Sequence, residues 1–277
     1  MPRHLRTTIK HALAKVVSQL KQLSDPQLDA QWLLLKVMAR DEISWLLTHS
    51  EECLTKQQEQ TLAEYVTRRG NGEPLAYILG EWEFYGRPFL VNKDVLIPRP
   101  STERLVEEAL IYCRKTIEQN TKKYNVEGWT IADIGTGSGC VAITLGLEID
   151  EWLKKAGLAI DWKIIATDVS KEALDVAKQN AVRYNLANRV EFILGDLLHP
   201  IRDKKIDLIV SNPPYVPAAE LRLSETGGNE KIGLRFEPRV ALDGGSDGLE
   251  TVNQLLQTKI PLIYESVGGK ILTNNNA

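Results

Sequence analysis

The sequence has little cysteine, little histidine, almost no net charge and no long apolar run. Its three cysteines, Cys53, Cys113 and Cys140, stand far apart without a C-x-x-C pair. That excludes a disulfide framework and implies a reducing, cytoplasmic setting. The four histidines (His4, His11, His49, His199) are scattered, so no metal-ligand spacing is present and no bound metal is expected. With 34 basic and 37 acidic residues, the net charge is −3. The broad basic field of a sequence-independent nucleic-acid binder is missing, and no direct nucleic-acid binding is expected. No apolar stretch approaches the roughly 20 residues that span a bilayer, so no membrane association is expected. The opening Met1-Pro2-Arg3-His4-Leu5-Arg6 has no apolar region behind it and does not read as a secretory signal.

What is present is a chain of 277 residues, 43% hydrophobic and 26% charged, enough for one large domain or two ordinary ones. The first eighty residues read as successive helices. Ile9, Leu13, Val16, Val17 and Leu20 recur at helical spacing on a helix from about Thr7. Ser24-Asp25-Pro26 signals a second start, opening a helix with Leu28, Trp32, Leu33 and Leu35 as core. Shorter helices are predicted over Ile43–Leu47 and Lys56–Arg69, the last stopped by Gly70-Asn71-Gly72. From Trp82 to Val91 the pattern becomes two short strands around a glycine turn. Pro98 and Pro100 then lead into a helix over Leu105–Ile117, with Ser101 or Thr102 able to cap it.

The remainder alternates strand and helix. Strands are predicted at Trp129–Ile134, Lys163–Thr167, Val190–Leu194 and Ile206–Ser211, with helices over Val141–Leu147 and Lys171–Tyr184 between them. A helix over Leu249–Ile260 and a last strand, Gly269–Thr273, follow. Such alternation implies an α/β fold with a doubly wound parallel sheet. The expected organisation is a helical domain over 1–80, a β-hairpin linker over 81–94 and a cofactor-binding domain over 95–277, in a monomer.

Four constellations carry chemistry. Asp133-Ile134-Gly135-Thr136-Gly137-Ser138-Gly139 closes a strand and opens a helix, where glycines let backbone approach a ligand. The spacing Gly137, Gly139, Ala142 also fits a dinucleotide fingerprint, and a plain tight turn would need the same glycines. Asp168, ending the next strand, can accept both hydroxyls of a ribose, or can merely cap the helix at Lys171. Asp196 and Leu197, after the third strand, can meet an adenine amine and line its ring, or form an ordinary turn. Asn212-Pro213-Pro214-Tyr215 follows the fourth strand. Its two prolines remove donors and leave carbonyls outward, beside one amide and one aromatic ring. The Asn212 side-chain oxygen and the Pro213 carbonyl suit the two N–H bonds of a planar NH₂ substrate, with Tyr215 packed on its face. Accepting both bonds orients the nitrogen lone pair and stabilises the charge that builds as it attacks.

Together, Asn212 to Tyr215, Asp133 to Gly139, and Leu96-Ile97-Pro98-Arg99-Pro100 followed by Thr102-Glu103 resemble the HemK/PrmC family of protein-(glutamine-N5) methyltransferases. Glu237-Pro238-Arg239-Val240-Ala241-Leu242 and Gly244-Gly245-Ser246-Asp247-Gly248-Leu249 are similar to that family too, and the match runs from about Pro74 to Leu272. The resemblance implies a Rossmann-like class I methyltransferase domain that uses S-adenosyl-L-methionine. The substrate it implies is the glutamine of the Gly-Gly-Gln motif in class 1 peptide chain release factors. It places the methionine end of the cofactor on Gly135 to Gly139, the ribose on Asp168, the adenine on Asp196 and Leu197, and the glutamine amide on Asn212 to Tyr215. Transfer is then direct and in-line, without metal, and catalysis is mostly positioning.

Two departures stand out. Ser101 occupies a place where the family usually has an acid, and Phe236 one where tyrosine is commoner. The resemblance also implies a helix and an antiparallel strand pair beyond Gly269–Thr273, so the chain is expected to be short there, with Lys270–Leu272 an uncovered edge. Three other readings share parts of the pattern: a ribosomal-protein glutamine methyltransferase, an adenine-N6 nucleic-acid methyltransferase, and a non-catalytic NAD-type binding module. The second calls for a basic recognition domain, and the third does not account for Asn212 to Tyr215.

Overall fold

The computed structural model describes residues 7–121, 128–225 and 229–274. The chain forms two compact units, Met1–Gly80 and Glu81–Ala277. Among the described residues no helix is long and apolar enough to cross a membrane.

The first unit is helical: α1 (Ile9–Gln19), α2 (Pro26–Met38), α3 (Ile43–Thr48), α4 (Lys56–Gly70) and α5 (Leu75–Leu79). Local chemistry sets the starts. Asp25 accepts from Leu28 N at 3.0 Å with Pro26 in the first turn, and Thr55 and Gln58 form a reciprocal capping box. The α1 core is Ile9, Ala12, Val16 and Leu20, with Leu13 and Val17 half-buried at its flanks. In α2 the expected core is corrected: Leu28 is 40% exposed and Trp32 half-buried, while Ala30, Leu33, Leu34 and Leu35 are buried. The buried face is set instead by Asp29, which pairs with Arg69 of α4 at 2.9 Å and fixes how α2 is turned.

The second unit opens with a hairpin, β1 (Glu81–Phe84) and β2 (Arg87–Leu90), turning on Tyr85 and Gly86, both left-handed at φ 54° and 68°. Then come α6 (Pro100–Thr121), β3 (Trp129–Ile134), α7 (Cys140–Ala156), β4 (Trp162–Asp168), α8 (Lys171–Arg183), β5 (Val190–Leu194), β6 (Leu208–Ser211), α9 (Ala218–Glu225), α10 (Glu250–Leu255), β7 (Leu262–Ser266) and β8 (Lys270–Asn274). The helix α6 starts earlier than expected, so Ser101 and Thr102 sit inside its first turn and do not cap it. Proline at the first helical position needs no amide partner and presets φ.

The sheet runs β5-β4-β3-β6-β7-β8, parallel throughout except for the β7–β8 pair. Alternate residues feed two layers. Trp129 and Ile131 pack with α6 and α7, whereas Ala132 and Ile134 pack with Val252 and Leu255 of α10. The order reverses around β3, so the carboxyl ends of β3, β4 and β6 open onto one crevice.

The end of the sheet differs from expectation. The fifth parallel strand is Leu262–Ser266, and Lys270–Asn274 turns back antiparallel onto it, so the sheet is mixed. The physical cause is the turn: Gly268 and Gly269 both take left-handed φ, 75° and 71°, a conformation L side chains rarely adopt. Leu262, Ile263 and Tyr264 are buried, as a central strand requires, whereas β8 is largely exposed. The α10 helix also ends early, at Leu255, ahead of a turn in which Thr258 accepts from Ile260 N at 3.1 Å and Pro261 disfavours helix before it. Residues 275–277, part of the expected short end, lie outside the described residues.

Candidate active site

The glycine loop between β3 and α7 is pinned from the neighbouring strand. The amides of Gly135 and Thr136 both donate to Thr167 O at 2.9 Å. Gly135, Gly137 and Gly139 have φ of 73°, 54° and 79°, so the turn requires glycine. A Cβ at Gly135 or Gly137 would meet nothing within 4 Å, because both face open space. At Gly139 it would press on Ala177 and Ile143 at 3.1 Å, so that glycine serves the packing of α7 on α8 and does not line the crevice.

Asp133 is fully buried behind this loop. It accepts from Thr136 Oγ1 at 2.7 Å and from Ala142 N at 3.2 Å. Burial pushes its carboxyl up to about 7, against the pull of those two bonds. Asp168, at the end of β4, accepts from Gly137 N and Ser170 N, each at 2.9 Å. Its carboxyl is also raised by burial, with the same two amides pulling it back. The α8 cap is Ser170, whose Oγ accepts from Ala173 N at 3.1 Å, so Asp168 is not needed there. Asp196 and Leu197 follow β5 in a turn where Leu197 takes φ 43° and Gly195 N donates to Asp168 O at 2.9 Å.

These groups converge on a cavity of about 280 Å³ lined by Asp133, Gly135, Thr136, Gly137, Ser138, Asp168, Asp196, Leu197, Asn212 and Pro214. A smaller one of about 120 Å³ is lined by Pro213, Tyr215, Arg99, Leu234 and others; Leu96, Asn212 and Ala241 line both. The α7 N-terminus, at Cys140 and Val141, opens on the larger cavity and carries the partial positive charge that suits a carboxylate. A loop with open backbone at Gly135 and Gly137, a helix N-terminus, an acid ending β4 and another after β5 form a donor and acceptor set that fits an amino-acid–nucleoside cofactor.

Side chains outside the four constellations complete the site. Asn212 Nδ2 donates to Thr102 Oγ1 at 3.0 Å, and Thr102 Oγ1 donates to Glu265 Oε2 at 2.7 Å. Tyr215 OH donates to the other oxygen of Glu265 at 3.4 Å. Burial raises the Tyr215 phenol, and the nearby Glu265 charge adds to it. Buried Glu237 pairs with Arg99, which lines the small cavity with Tyr215, and accepts from Ile97 N at 3.1 Å, tying the Ile97-Pro98-Arg99 approach to the site. The glycine-rich segment backs Tyr215. A Cβ at Gly244 would lie 2.8 Å from Tyr215 Cα, and one at Gly248 would lie 2.5 Å from Tyr215 O. Glu265 carries a readable signal, an acid directly after the apolar residues Leu262-Ile263-Tyr264, but no strand is expected there from the sequence.

Two family models match. The PrmC N-terminal domain covers residues 11–80, and the methyltransferase small domain covers residues 109–225. The release factor glutamine methyltransferase of Koribacter versatilis is 37% identical over 251 residues, 90% of this chain and 80% of that protein. Its namesake in Coxiella burnetii is 37% identical over 250 residues, 90% and 79% of the two chains. Among solved structures, the hMettl16 catalytic domain with a MAT2A 3′UTR hairpin aligns at TM-score 0.44 and 15% identity, over 78% of this chain and 70% of that one, too distant to bear on chemistry.

Proposed function

Because the chain belongs to the release factor glutamine methyltransferase family, we propose that it methylates the side-chain amide nitrogen of the Gly-Gly-Gln glutamine in class 1 peptide chain release factors. It works in the cytoplasm, as a monomer, with S-adenosyl-L-methionine as methyl donor. The observation that carries the reading is Asn212, which lines both the large cavity and the small one and so stands where a cofactor and an amide side chain would meet.

The cofactor, when bound, supplies an electrophilic methyl group. Gly135 to Ser138 and the α7 N-terminus would hold its amino-acid end, Asp168 the ribose and Asp196 with Leu197 the adenine. The protein's own contribution is to orient the glutamine. Asn212 Oδ1 and the Pro213 carbonyl accept the two amide protons, and Tyr215 packs against the plane. An amide nitrogen is a weak nucleophile because its lone pair is delocalised into the carbonyl. Two acceptors on its protons favour the charge distribution of attack over that of the ground state.

The test is methyl transfer from labelled S-adenosyl-L-methionine to a release factor, beside the same factor with the loop glutamine replaced by alanine. Label confined to the intact loop, with a peptide fragment that places the methyl on the glutamine side chain, is the expected result. Label on another residue, or on a ribosomal protein in preference, overturns the substrate assignment.

A further inference from the structure

We propose that Thr102 and Glu265 are positioning residues, holding the Asn212 amide in the one orientation that turns its oxygen to the substrate; the proposal rests on the methyl-transfer reading above. The bonds have a direction. A threonine hydroxyl carries one proton, and a carboxylate only accepts. Thr102 Oγ1 gives that proton to Glu265 Oε2 at 2.7 Å, so toward Asn212 it can only accept. It therefore selects the NH₂ arm of the amide and rejects the oxygen arm.

That selection matters because a side-chain amide has two orientations of nearly equal shape. In the observed one Nδ2 is committed to Thr102, and Oδ1 is left for the cavities that Asn212 lines. Flipped, the NH₂ arm would face the NH₂ of the substrate glutamine, donor against donor, while Oδ1 would face the lone pairs of Oγ1. The polarity set at Glu265 thus reaches the substrate through two hydrogen bonds.

Glu265 also serves Tyr215, whose hydroxyl donates to Oε1 at 3.4 Å. The carboxylate is 0% exposed and sits in β7 beside buried Ile263 and Tyr264. A carboxylate so placed is costly unless it is hydrogen-bonded. The bonds that satisfy it come from Thr102 and Tyr215, side chains of two segments 113 residues apart in sequence.

Thr102→Val keeps the shape and removes the hydroxyl, while Thr102→Ser keeps the hydroxyl. In steady-state methyl transfer T102V lowers kcat by about 100-fold, the loss that a misplaced catalytic group brings. KM for the cofactor and the Kd of S-adenosylhomocysteine stay within about two-fold, and T102S stays close to wild type. Glu265→Gln, whose amide donates as well as accepts, removes the polarity and lowers kcat similarly. The double variant loses little beyond either single one, because the residues act as one chain. A T102V kcat within about two-fold of wild type overturns the proposal, as does a loss of S-adenosylhomocysteine affinity in step with kcat.

A second readout needs neither a variant nor turnover. In ¹⁵N-labelled wild-type protein, one Asn212 side-chain proton exchanges slowly and its partner fast. Equal, solvent-rate exchange of both overturns the proposal even if glutamine is methylated. A slow proton in a protein that methylates no glutamine supports the orientation and overturns the functional reading.

Discussion

Leu90 and Asn180 are 90 positions apart and exchange two hydrogen bonds: Leu90 N donates to Asn180 Oδ1 at 2.8 Å, and Asn180 Nδ2 donates back to Leu90 O at 3.0 Å. The same Nδ2 donates to Ser138 O at 2.9 Å. One side chain in α8, 0% exposed, therefore ties the end of the β1–β2 hairpin to the glycine loop. Asn180→Ala would leave Leu90 N and two carbonyls without these partners. The expected loss is about 3 kcal/mol in urea unfolding, since buried unpaired groups cost far more than a bond gains. S-adenosylhomocysteine affinity should fall as well, because Ser138 is released. Unchanged stability would mean that water takes over the bonds.

Removing the amide at the junction of the two cavities addresses the chemistry directly. Asn212→Ala should lower kcat by about 10²- to 10³-fold, the usual loss on deleting one group that stabilises a transition state. Its melting temperature should stay near that of wild type, since Asn212 makes one side-chain bond, to Thr102. Parallel kinetics and melts separate the two effects, and a kcat within a few-fold of wild type would remove Asn212 from the mechanism.

Asp133 predicts a pH dependence of stability. Its carboxyl rises from an ordinary 3.8 to about 7 on folding, because burial disfavours the charge. The folded state then holds a proton that the unfolded state has lost. The contribution to stability is full below about 3.8, declines as pH rises, and is gone above about 7. The span is on the order of 4 kcal/mol. Asp133→Asn keeps an oxygen for Thr136 and Ala142 and removes the titration. Melts of the two proteins should diverge from pH 4 to pH 7, with the variant gaining on wild type and the difference level above that. A constant difference across this window would contradict a raised carboxyl.

Gly248→Ala tests the backing of Tyr215. The position has φ 80°, and a Cβ would lie 2.5 Å from the Tyr215 carbonyl, so both strain and contact oppose any side chain. The expected outcome is a loss of about 1–3 kcal/mol in stability together with a fall in kcat. Gly80→Ala, at φ 76° with nothing within 4 Å of its Cβ, carries the strain without the contact. A matching fall in kcat there would show that the Tyr215 contact is not the cause.

Much of this fold could be read from local patterns. Trp129–Ile134 and Val190–Leu194 coincide with β3 and β5, because each is a run of five or six residues, apolar but for one acid and in β3 a threonine, closed at its end by glycine. Strand β7 is less legible, since Leu262-Ile263-Tyr264 is a run of only three apolar residues with no glycine directly closing it. The expected strand Gly269–Thr273 takes in the second glycine of Gly268-Gly269, a pair that forms the turn instead. In the site, the glycine loop, the acids after β4 and β5, and Asn212 to Tyr215 are contiguous motifs and were legible. The bonds of Thr102 and Asn180 were not, since a threonine at a helix start reads as a cap and an asparagine on a helix as an ordinary polar position. Their partners lie 163 and 90 residues away, and no local window contains both ends of such a bond.

The separation of Thr102 and Glu265 also has a consequence in time. At about 5–20 residues per second, a ribosome makes Glu265 roughly 8–30 s after Thr102. For roughly the last 3–10 s of that interval the growing chain already holds the glycine loop, Asp168 and Asn212. A nascent chain can therefore carry every cofactor-lining motif before the carboxylate that orients its amide has been synthesised.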